Sequence, residues 1–427
     1  MTDFTCDIIP TSSDNKLQFE IHGNPEHGFD KTIVNAIRRI LLSSIDTYAF
    51  RTDYDKSDIK IEKNNTSLHN EFILDRIGLI PLYIDPLMVK NNPLKYLFEL
   101  NFKHNNLNPI SIVTAENFKI YELKKSIANS SDYENGLINK IDKDNYDLDK
   151  PLSDKIKQQI FRPYLNKYYS IIIETKSTNS DDNVQELELY GSPSVSIAKE
   201  DARWQSVSCA TYSYKINEDS LKQAIQDKIL IENIDNKEEF KNEFTISNGQ
   251  RYFHRDKQGE PYWYNFVIEG QHFLDSKALF IKANENLIES INDFKNELHK
   301  LSLDENTPIK LSFNKSDDKN NVITLLVELP YVIENEKIFY GFDDTLGSII
   351  QAYISRYLID DKSVLNCCGY KRSHPLENKI LFTMSMNNND PDIDEDTKKK
   401  NIIDEFNKTC DKLIEIFKTI IESANEL

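Results

Sequence analysis

Glycine and cysteine are scarce in this sequence, and their scarcity excludes several kinds of site. Only 11 of the 427 residues are Gly, and no two of them are separated by one residue, so a G-x-G-x-x-G dinucleotide loop cannot occur. The five Cys are scattered and form no C-x-x-C pair, which excludes a disulfide framework and a local cysteine-based zinc site. This usage indicates a reducing compartment. Neither H-E-x-x-H nor G-x-S-x-G occurs.

Long apolar runs and excess positive charge are also missing. No apolar stretch reaches the ~18 residues of a spanning helix, and the first ten residues lack the basic start and apolar run of a secretory signal. With 52 basic and 70 acidic residues the formal net charge is −18, which disfavours a free-standing nucleic-acid binder because phosphates would be repelled. The 22 Phe and 21 Tyr provide ample core material, and the length predicts about two to four structural units.

One acidic cluster has the spacing of a metal site. Asp390, Asp392 and Asp394 alternate along the chain, and carboxylate oxygens in such a pattern can hold a divalent cation. The calcium-loop pattern fails, because Glu395 stands where Gly is needed and Asn401 stands where Glu is needed. The same residues suit an acidic loop before a helix, where carboxylates meet the positive end of the helix dipole. Both interpretations stay open, and the first makes a metal-dependent enzyme an alternative function.

Periodicities predict a mixture of strands and helices. Alternating or β-rich runs predict strands at 17–21, 59–61, 98–102, 168–173, 184–189, 208–214, 262–268 and 322–329. Helical spacing predicts helices at 30–45, 275–301, 345–358 and 397–424. We expect a flexible polar excursion at 126–165, a solvated acidic patch at 232–243 and a polar linker at 302–320.

Two of the predicted helices carry an apolar seam with steps of three and four residues, which is typical of helices that pack on another helix. Cys410 falls within the second seam and is expected to be a small buried hydrophobe. The seam residues are Leu287, Ile291, Phe294 and Leu298 in the first helix, and Ile403, Phe406, Leu413, Phe417 and Ile420 in the second.

The sequence also contains a short internal repeat. Residues 30–37 align with residues 343–350 at an offset of 313, and each copy begins a helix after a strand. Each is followed later by a long seam helix. Repetition of strand, helix and seam helix predicts a pseudo-dimer packed through helices.

Five segments resemble alpha-type RNA polymerase subunits. Residues 35–42 resemble the N-x-[LI]-R-R-[IV]-L-[LM] helix of that family, and residues 71–82 and 198–204 are similar to motifs of the third subunit of eukaryotic RNA polymerase II. Residues 343–347 and 369–380 resemble the D-H-T-L-G and G-Y-K-x-P-H-P-L-E-x-K-I motifs of the eleventh subunit. The segments occur in the family's order, and the stretch from the first to the last, residues 35–380, spans most of the chain. Fusion of both subunits in one chain is an arrangement of some large cytoplasmic DNA viruses.

The resemblance implies an α+β fold with two alpha-subunit-like dimerisation domains that form an intrachain pseudo-dimer, the first interrupted by an inserted, mainly-β domain. The implied role is a non-catalytic platform on which the second-largest and largest polymerase subunits dock. The expected organisation is a first dimerisation domain at 1–50 and 204–301, an inserted domain at 51–203, a linker at 302–320 and a second dimerisation domain at 321–427.

The resemblance also assigns residues to these roles. Arg38 and Arg39, supported by Asn35, are expected to contact the second-largest subunit, because planar guanidinium groups suit carboxylates on another protein. Trp204 is expected to lie in the core. The same surface is expected to include Glu71, Arg76, Gly78 and Pro81, and the second-half motif comprises Thr345, Leu346, Gly347, Tyr370, Lys371, His374, Pro375 and Glu377, with 369–380 expected to be a contact or packing loop.

The chain departs from the family pattern at three points. Asp344 replaces the histidine of D-H-T-L-G, and Ser373 replaces the first proline of the second motif. Residues 51–203 contain no Cys, so no metal cluster is expected there, in contrast to many third-subunit relatives. We expect no cofactor in this chain, with zinc and magnesium held by other subunits.

The expected partners are the two large subunits and small zinc-bearing subunits, with DNA reached only through the complex and no membrane. The expected location is host cytoplasm and virion if the protein is viral, and nucleus or cytoplasm otherwise. A structural virion protein that reuses the fold is a further alternative.

Overall fold

The computed structural model describes residues 4–9, 16–23, 30–53, 56–86, 94–128, 141–178, 184–257, 259–271, 273–314, 322–328, 343–359, 364–372, 374, 379–386 and 394–425. The strands are β1 Phe4–Ile9, β2 Lys16–Gly23, β3 Thr47–Ala49, β4 Ile59–Asn64, β5 Tyr96–Lys103, β6 Ile110–Thr114, β7 Lys119–Glu122, β8 Ile171–Lys176, β9 Glu186–Gly191, β10 Ser194–Ser196, β11 Val207–Tyr214, β12 Trp263–Gly270, β13 Ile309–Asn314, β14 Val322–Glu328, β15 Leu365–Arg372 and β16 Lys379–Met386. The helices are α1 Lys31–Ser43, α2 Asn70–Gly78, α3 Lys125–Ala128, α4 Asp154–Phe161, α5 Glu218–Glu232, α6 Lys237–Asn248, α7 Ser276–Ser302, α8 Asp344–Tyr353 and α9 Glu395–Asn425, and α8 continues into a π-helical turn at Ile354–Leu358.

The chain divides into two compact units. The paired unit comprises residues 1–44, 209–269 and 276–427, and the excursion unit comprises residues 45–208 and 270–275. Most residues of the two predicted dimerisation domains lie in the paired unit, whereas 45–50, 204–208 and 270–275 of the first lie in the excursion unit.

The paired unit contains the same arrangement twice. One sheet has the order β1-β2-β12-β11 and the other has the order β13-β14-β16-β15, so each follows the same path through its four strands. A phenylalanine on the third strand of each order meets a long helix: Phe266 lies 6.2 Å from Phe280 of α7, and Phe382 lies 5.3 Å from Phe406 of α9, between ring centroids. The short internal repeat in the sequence thus corresponds to a repeat of topology and of packing in the structure.

The long helices α7 and α9 pack against each other and run antiparallel. Lys277 Nζ lies 3.3 Å from the Asn425 carbonyl oxygen, and Lys295 pairs with Asp411, so early residues of α7 meet late residues of α9. All nine predicted seam residues are buried, and Phe294 lies 6.3 Å from Phe406 across the pair. Packing the apolar faces of the two helices together removes their surface from water. This burial is the main interaction that holds the repeats together.

The shorter helices α1 and α8 also contact each other. Each begins at an aspartate whose side chain accepts a backbone N–H of the first turn: Asp30 from Thr32 and Asp343 from Thr345 and Leu346. Such caps satisfy amides that have no partner within the helix. The two caps occupy equivalent positions at the 313-residue offset.

The excursion unit is built on the four-stranded sheet β4-β9-β5-β7, with the smaller sheets β6-β8 and β3-β10. Its core contains a cluster of aromatic rings in which Phe50 lies 5.2 Å from Phe98 and Phe98 lies 6.0 Å from Phe161. Pairing of β3 with β10 ties the start of the excursion to its end. Thr47 Oγ1 strengthens this closure by donating to the Trp204 carbonyl oxygen at 2.7 Å.

The predicted polar linker at 302–320 is wrong for part of its length. Helix α7 continues to Ser302, and residues 309–314 form β13, which pairs antiparallel with β14. Ile309, Leu311 and Phe313 alternate with polar residues, so the strand signal was present but short. Residues 315–320 lie outside the described residues.

The predicted flexible excursion and the predicted acidic patch both contain helices. Within the polar excursion at 126–165, α4 occupies 154–161, and buried Tyr146 donates its hydroxyl to the Leu94 carbonyl oxygen at 2.6 Å. The acidic patch at 232–243 spans the end of α5 and the start of α6. Leu221, Ile225 and Phe244 form a small buried cluster. Leu230 and Ile231 are apolar but exposed, so they blur the helical period of α5.

The predicted loop at 369–380 is strand at both of its ends. Residues 369–372 complete β15, and residues 379–380 begin β16, which pairs antiparallel with β15. Polar side chains on the outer face of an edge strand concealed the period of two.

Candidate docking surfaces

Helix α1 presents two arginines beside a buried face. Ile33, Ile37 and Ile40 are buried, whereas Arg38 and Arg39 are half-buried. Asn35 lies one turn before Arg38 and accepts from its Nε at 3.0 Å, which fixes that guanidinium along the helix. Within the described part of the chain neither arginine forms an ion pair with a carboxylate.

The two guanidinium groups act on different parts of the paired unit. Burial raises the pKa of the Tyr212 phenol, and the positive charge of Arg38 opposes that rise. Burial, together with Asp344, raises the pKa of the Tyr370 phenol, and Arg39 opposes that rise. The charge of Arg38 therefore affects the pKa of a phenol in the first repeat, and the charge of Arg39 affects the pKa of a phenol in the second.

The equivalent positions on α8 are neutral. At the 313-residue offset, Arg38 and Arg39 correspond to Gln351 and Ala352. The Gln351 amide is used internally, since it donates to Ser355 Oγ at 2.9 Å and to the Cys368 carbonyl oxygen at 3.2 Å. The arginine pair is therefore a feature of one repeat only.

The second-half motif forms a packed junction between α8 and β15. Thr345, Leu346 and Gly347 are buried. A Cβ added at Gly347 would lie 2.5 Å from a carbon of the Tyr370 ring, so only glycine allows this approach. The Tyr370 hydroxyl donates to Asp344, which Arg372 also approaches.

The other residues of this motif are exposed or undescribed. Lys371 and His374 are exposed. Pro375 and Glu377 lie outside the described residues, as does Ser373. The carboxylate that replaces the family's histidine at 344 thus accepts from Tyr370 and Arg372, which positions the strand against the helix.

In the excursion unit, α2 exposes Glu71 and Arg76 but uses Arg76 structurally. Arg76 Nε lies 2.5 Å from the Ile172 carbonyl oxygen, and Nη2 lies 3.1 Å from that of Ile171. These bonds tie α2 to the edge strand β8. One turn earlier, Phe72 is 59% exposed, so an apolar ring stands beside the guanidinium on the outer surface.

Two motifs far apart in sequence meet behind α2. A Cβ at Gly78 would lie 2.9 Å from Arg203 Nη1, and the same nitrogen donates to the Phe50 carbonyl oxygen at 3.2 Å and to Thr52. Trp204, beside Arg203, is fully buried, as expected. Pro81 is half-buried just after the helix. Sequence reasoning missed Arg203 and Thr52, because only the tertiary fold brings them to Gly78.

No metal or membrane-spanning feature is found in the part of the chain that the structure describes. Among those residues, no three His, Cys, Asp or Glu side chains are grouped to hold a metal ion. Of the acidic cluster, Asp394 is described and exposed, whereas Asp390 and Asp392 lie outside the described residues. Across the described ranges, no helix has the length and apolarity to cross a bilayer.

These features define a class of protein: two repeats of a sheet-and-helix dimerisation fold paired within one chain. The profile of the RNA polymerase Rpb3/Rpb11 dimerisation domain matches residues 25–291, and a second profile of the same description matches residues 336–423. Since the first match covers more than half of the chain, the chain belongs to the RNA polymerase Rpb3/Rpb11 dimerisation-domain family. The predicted fold class, with two such domains, is confirmed.

Curated relatives match over shorter segments. The chain is 34% identical over 121 residues to the DNA-directed RNA polymerases I and III subunit rpac1 of Dictyostelium discoideum, which covers 28% of this chain and 27% of that protein. It is 31% identical over 83 residues to the human subunit RPAC1, which covers 19% and 20% of the two chains. The chain thus matches 27% of the length of the Dictyostelium relative and 20% of the length of the human one.

Proposed function

We propose that this chain is a non-catalytic subunit of a multisubunit DNA-directed RNA polymerase and serves as a platform for its assembly. The observation that carries the proposal is the pairing of two Rpb3/Rpb11-type domains with the same strand order in one chain. The names of the relatives, which are subunits of RNA polymerases I and III, support the same role.

We propose that the second-largest polymerase subunit docks at the α1 arginine pair. A pair of nearly symmetric domains offers a large partner two similar faces, and a charge present on only one face selects a single orientation. Arg38 and Arg39 provide that charge, because α8 has neutral residues at the equivalent positions. The largest subunit and small zinc-bearing subunits complete the proposed assembly, and DNA is reached only through it.

The α2 surface is the proposed second contact. Phe72 and Arg76 place an apolar ring beside a positive charge, the composition of many interface anchors. Glu71 flanks them on the same exposed surface. Because Arg76 also holds β8, its replacement tests stability and docking together, and the α1 arginines give the cleaner test.

The double variant Arg38→Ala/Arg39→Ala should fold normally and capture the second-largest subunit more weakly by roughly tenfold or more, since charge pairs at interfaces contribute on the order of 1.5 kcal/mol or more. Pull-down of the full polymerase through a tag on this chain measures the loss. The matched control is Arg251→Ala/Arg255→Ala, which removes the same charge from exposed positions of the paired unit.

Unchanged capture by the α1 variant, or equal loss in the control, would remove the arginine pair from the interface. Unfolding with equal loss of every partner would contradict the docking role as well.

We further propose that the single chain is a fusion of third- and eleventh-subunit types, as in large cytoplasmic DNA viruses, that it holds no cofactor, and that it functions in host cytoplasm and is packaged in the virion. Immunodetection in infected cells and purified particles tests the location. Metal analysis of the purified chain tests the absence of a cofactor.

A further inference from the structure

A guanidinium of the second dimerisation domain lies between two carboxylates of the first. Arg356, in the turn that extends α8, places Nη1 2.9 Å from Asp30 Oδ2 and Nη2 3.3 Å from Asp256 Oδ2. The three side chains are 16%, 5% and 8% exposed. This ion triad is largely shielded from solvent, so the charge of Arg356 matters strongly to the two carboxylates that it faces.

Both carboxylates are held in place within the first domain. Asp30 Oδ1 accepts from the Thr32 amide at 2.8 Å as the cap of α1, and Asp256 Oδ1 accepts from the Glu260 amide at 2.8 Å. The second oxygen of each is the one that faces Arg356. Burial raises the pKa of the neighbouring Tyr357 phenol to about 12, and the charge of Asp30 adds to that rise, as expected where water is largely excluded.

The internal repeat has no reciprocal triad. At the 313-residue offset, Arg356 corresponds to Ser43, whose hydroxyl donates to the Arg39 carbonyl oxygen at 2.8 Å. Asp256 lies in the long connection from β11 to β12, whereas only six residues join β15 to β16. The second domain therefore has no segment equivalent to the one that supplies Asp256.

We infer that Arg356 is a specificity-determining residue for domain pairing: it makes the first dimerisation domain pair with the second and disfavours pairing of two first domains. In the disfavoured pair, Asp30 and Asp256 of each domain would face Ser43 of the other. Each buried carboxylate would then lose the guanidinium charge that faces it and meet a neutral hydroxyl instead, and losing a buried counter-charge opposes association. Such a penalty against the wrong partner is a means of specificity.

Relocating the charge in the full-length chain tests the inference. The double variant Ser43→Arg/Arg356→Ser should weaken pairing within the chain and allow first domains of two chains to pair. We expect its association constant for dimer formation to exceed that of the unaltered chain by about tenfold or more. Light scattering across a concentration series measures this constant. Adding Asp30→Asn should return dimerisation to the level of the unaltered chain. No increase in dimerisation would overturn the inference.

A second set of variants covers the case in which the double variant fails to fold. Arg356→Met should lower the unfolding midpoint clearly more than Arg372→Met, which removes a guanidinium from a carboxylate pair within the second domain. Adding Asp30→Asn and Asp256→Asn to Arg356→Met should recover the lost stability, because no buried charge remains, and should raise dimerisation at least threefold. Equal midpoints for the two single variants, or full recovery without added dimerisation, would contradict the role in specificity.

Discussion

The two dimerisation domains share their strand order and their long-helix packing, yet they differ in what they add to that core. The first domain carries the excursion unit, the α5–α6 helices and the α1 arginine pair. The second has a short β15–β16 connection, neutral residues where the arginines would stand, and a glycine packed against a tyrosine ring. A duplicated core thus supports two different surfaces, and an almost symmetric pair of domains presents distinct faces.

The largest loss of stability should come from removing a side chain that both repeats contact. Phe406→Ala should lower the free energy of unfolding by about 3–5 kcal/mol, because its fully buried ring contacts Phe294 of the other long helix and Phe382 of its own sheet. Denaturant unfolding of the full chain measures the loss. Lys418→Ala, an exposed change on the same helix, should cost under about 0.5 kcal/mol. Similar costs for both variants would contradict the central role of the seam.

The excursion unit, which only the first domain carries, should show its own pH dependence. Burial raises the pKa of Asp58 to about 6, although Ser194 Oγ and the Arg51 amide both donate to it at 2.7 Å. Because this folded-state pKa lies above the unfolded value, stability is present at low pH and is lost as pH rises from about 4 through about 6. The loss should be on the order of 2–3 kcal/mol.

Asp58→Asn should remove that loss and make the chain more stable than the unaltered protein at pH 7.5, with little difference at pH 4. Urea midpoints of both proteins across this range give the comparison, and Asp53→Asn is the exposed control. A variant that is less stable than the unaltered chain at pH 7.5 would show that the ionised carboxylate is stabilising.

A smaller effect should come from making the two short helices more alike. Position 347 is Gly, and the equivalent position on α1 is Val34. Gly347→Ala should destabilise the chain by up to about 2 kcal/mol: the helix gains roughly 1 kcal/mol from alanine, but overpacking against a ring held by Asp344 costs about 1–3 kcal/mol. Thermal or urea unfolding detects this change. In a Tyr370→Ala background the same substitution should become neutral or stabilising, and an unchanged cost there would contradict the steric explanation.

The sequence predicted the long helices well because many apolar residues repeat along them. Helix α7 begins and ends within one residue of the prediction, and α9 within two. Prediction failed where the hydrophobic period was weak: in α5 the exposed Leu230 and Ile231 blur the period set by the buried residues, and β13 is a short edge strand. A hydrophobic period can be recognised only when it repeats several times, and short or polar elements contain too few repeats of it.

Among the residues of the candidate surfaces, those within a local sequence motif could be predicted, and those brought together by the tertiary fold could not. Arg38 and Arg39 could be singled out because they follow each other within a recognisable helix motif. Arg203 reaches Gly78 only through the fold of the excursion unit. Arg356 meets a partner 326 residues away, and its neighbours in the sequence form no local pattern that predicts a buried ion triad.

The central claim is that this chain organises a polymerase, and capture of its native complex tests that claim most directly. A tag on the chain, expressed in its native host, should recover two much larger chains at equal stoichiometry, together with DNA-templated RNA synthesis in the eluate. Recovery of the chain alone, with neither large partners nor RNA synthesis, would contradict the platform role and leave only the shared fold.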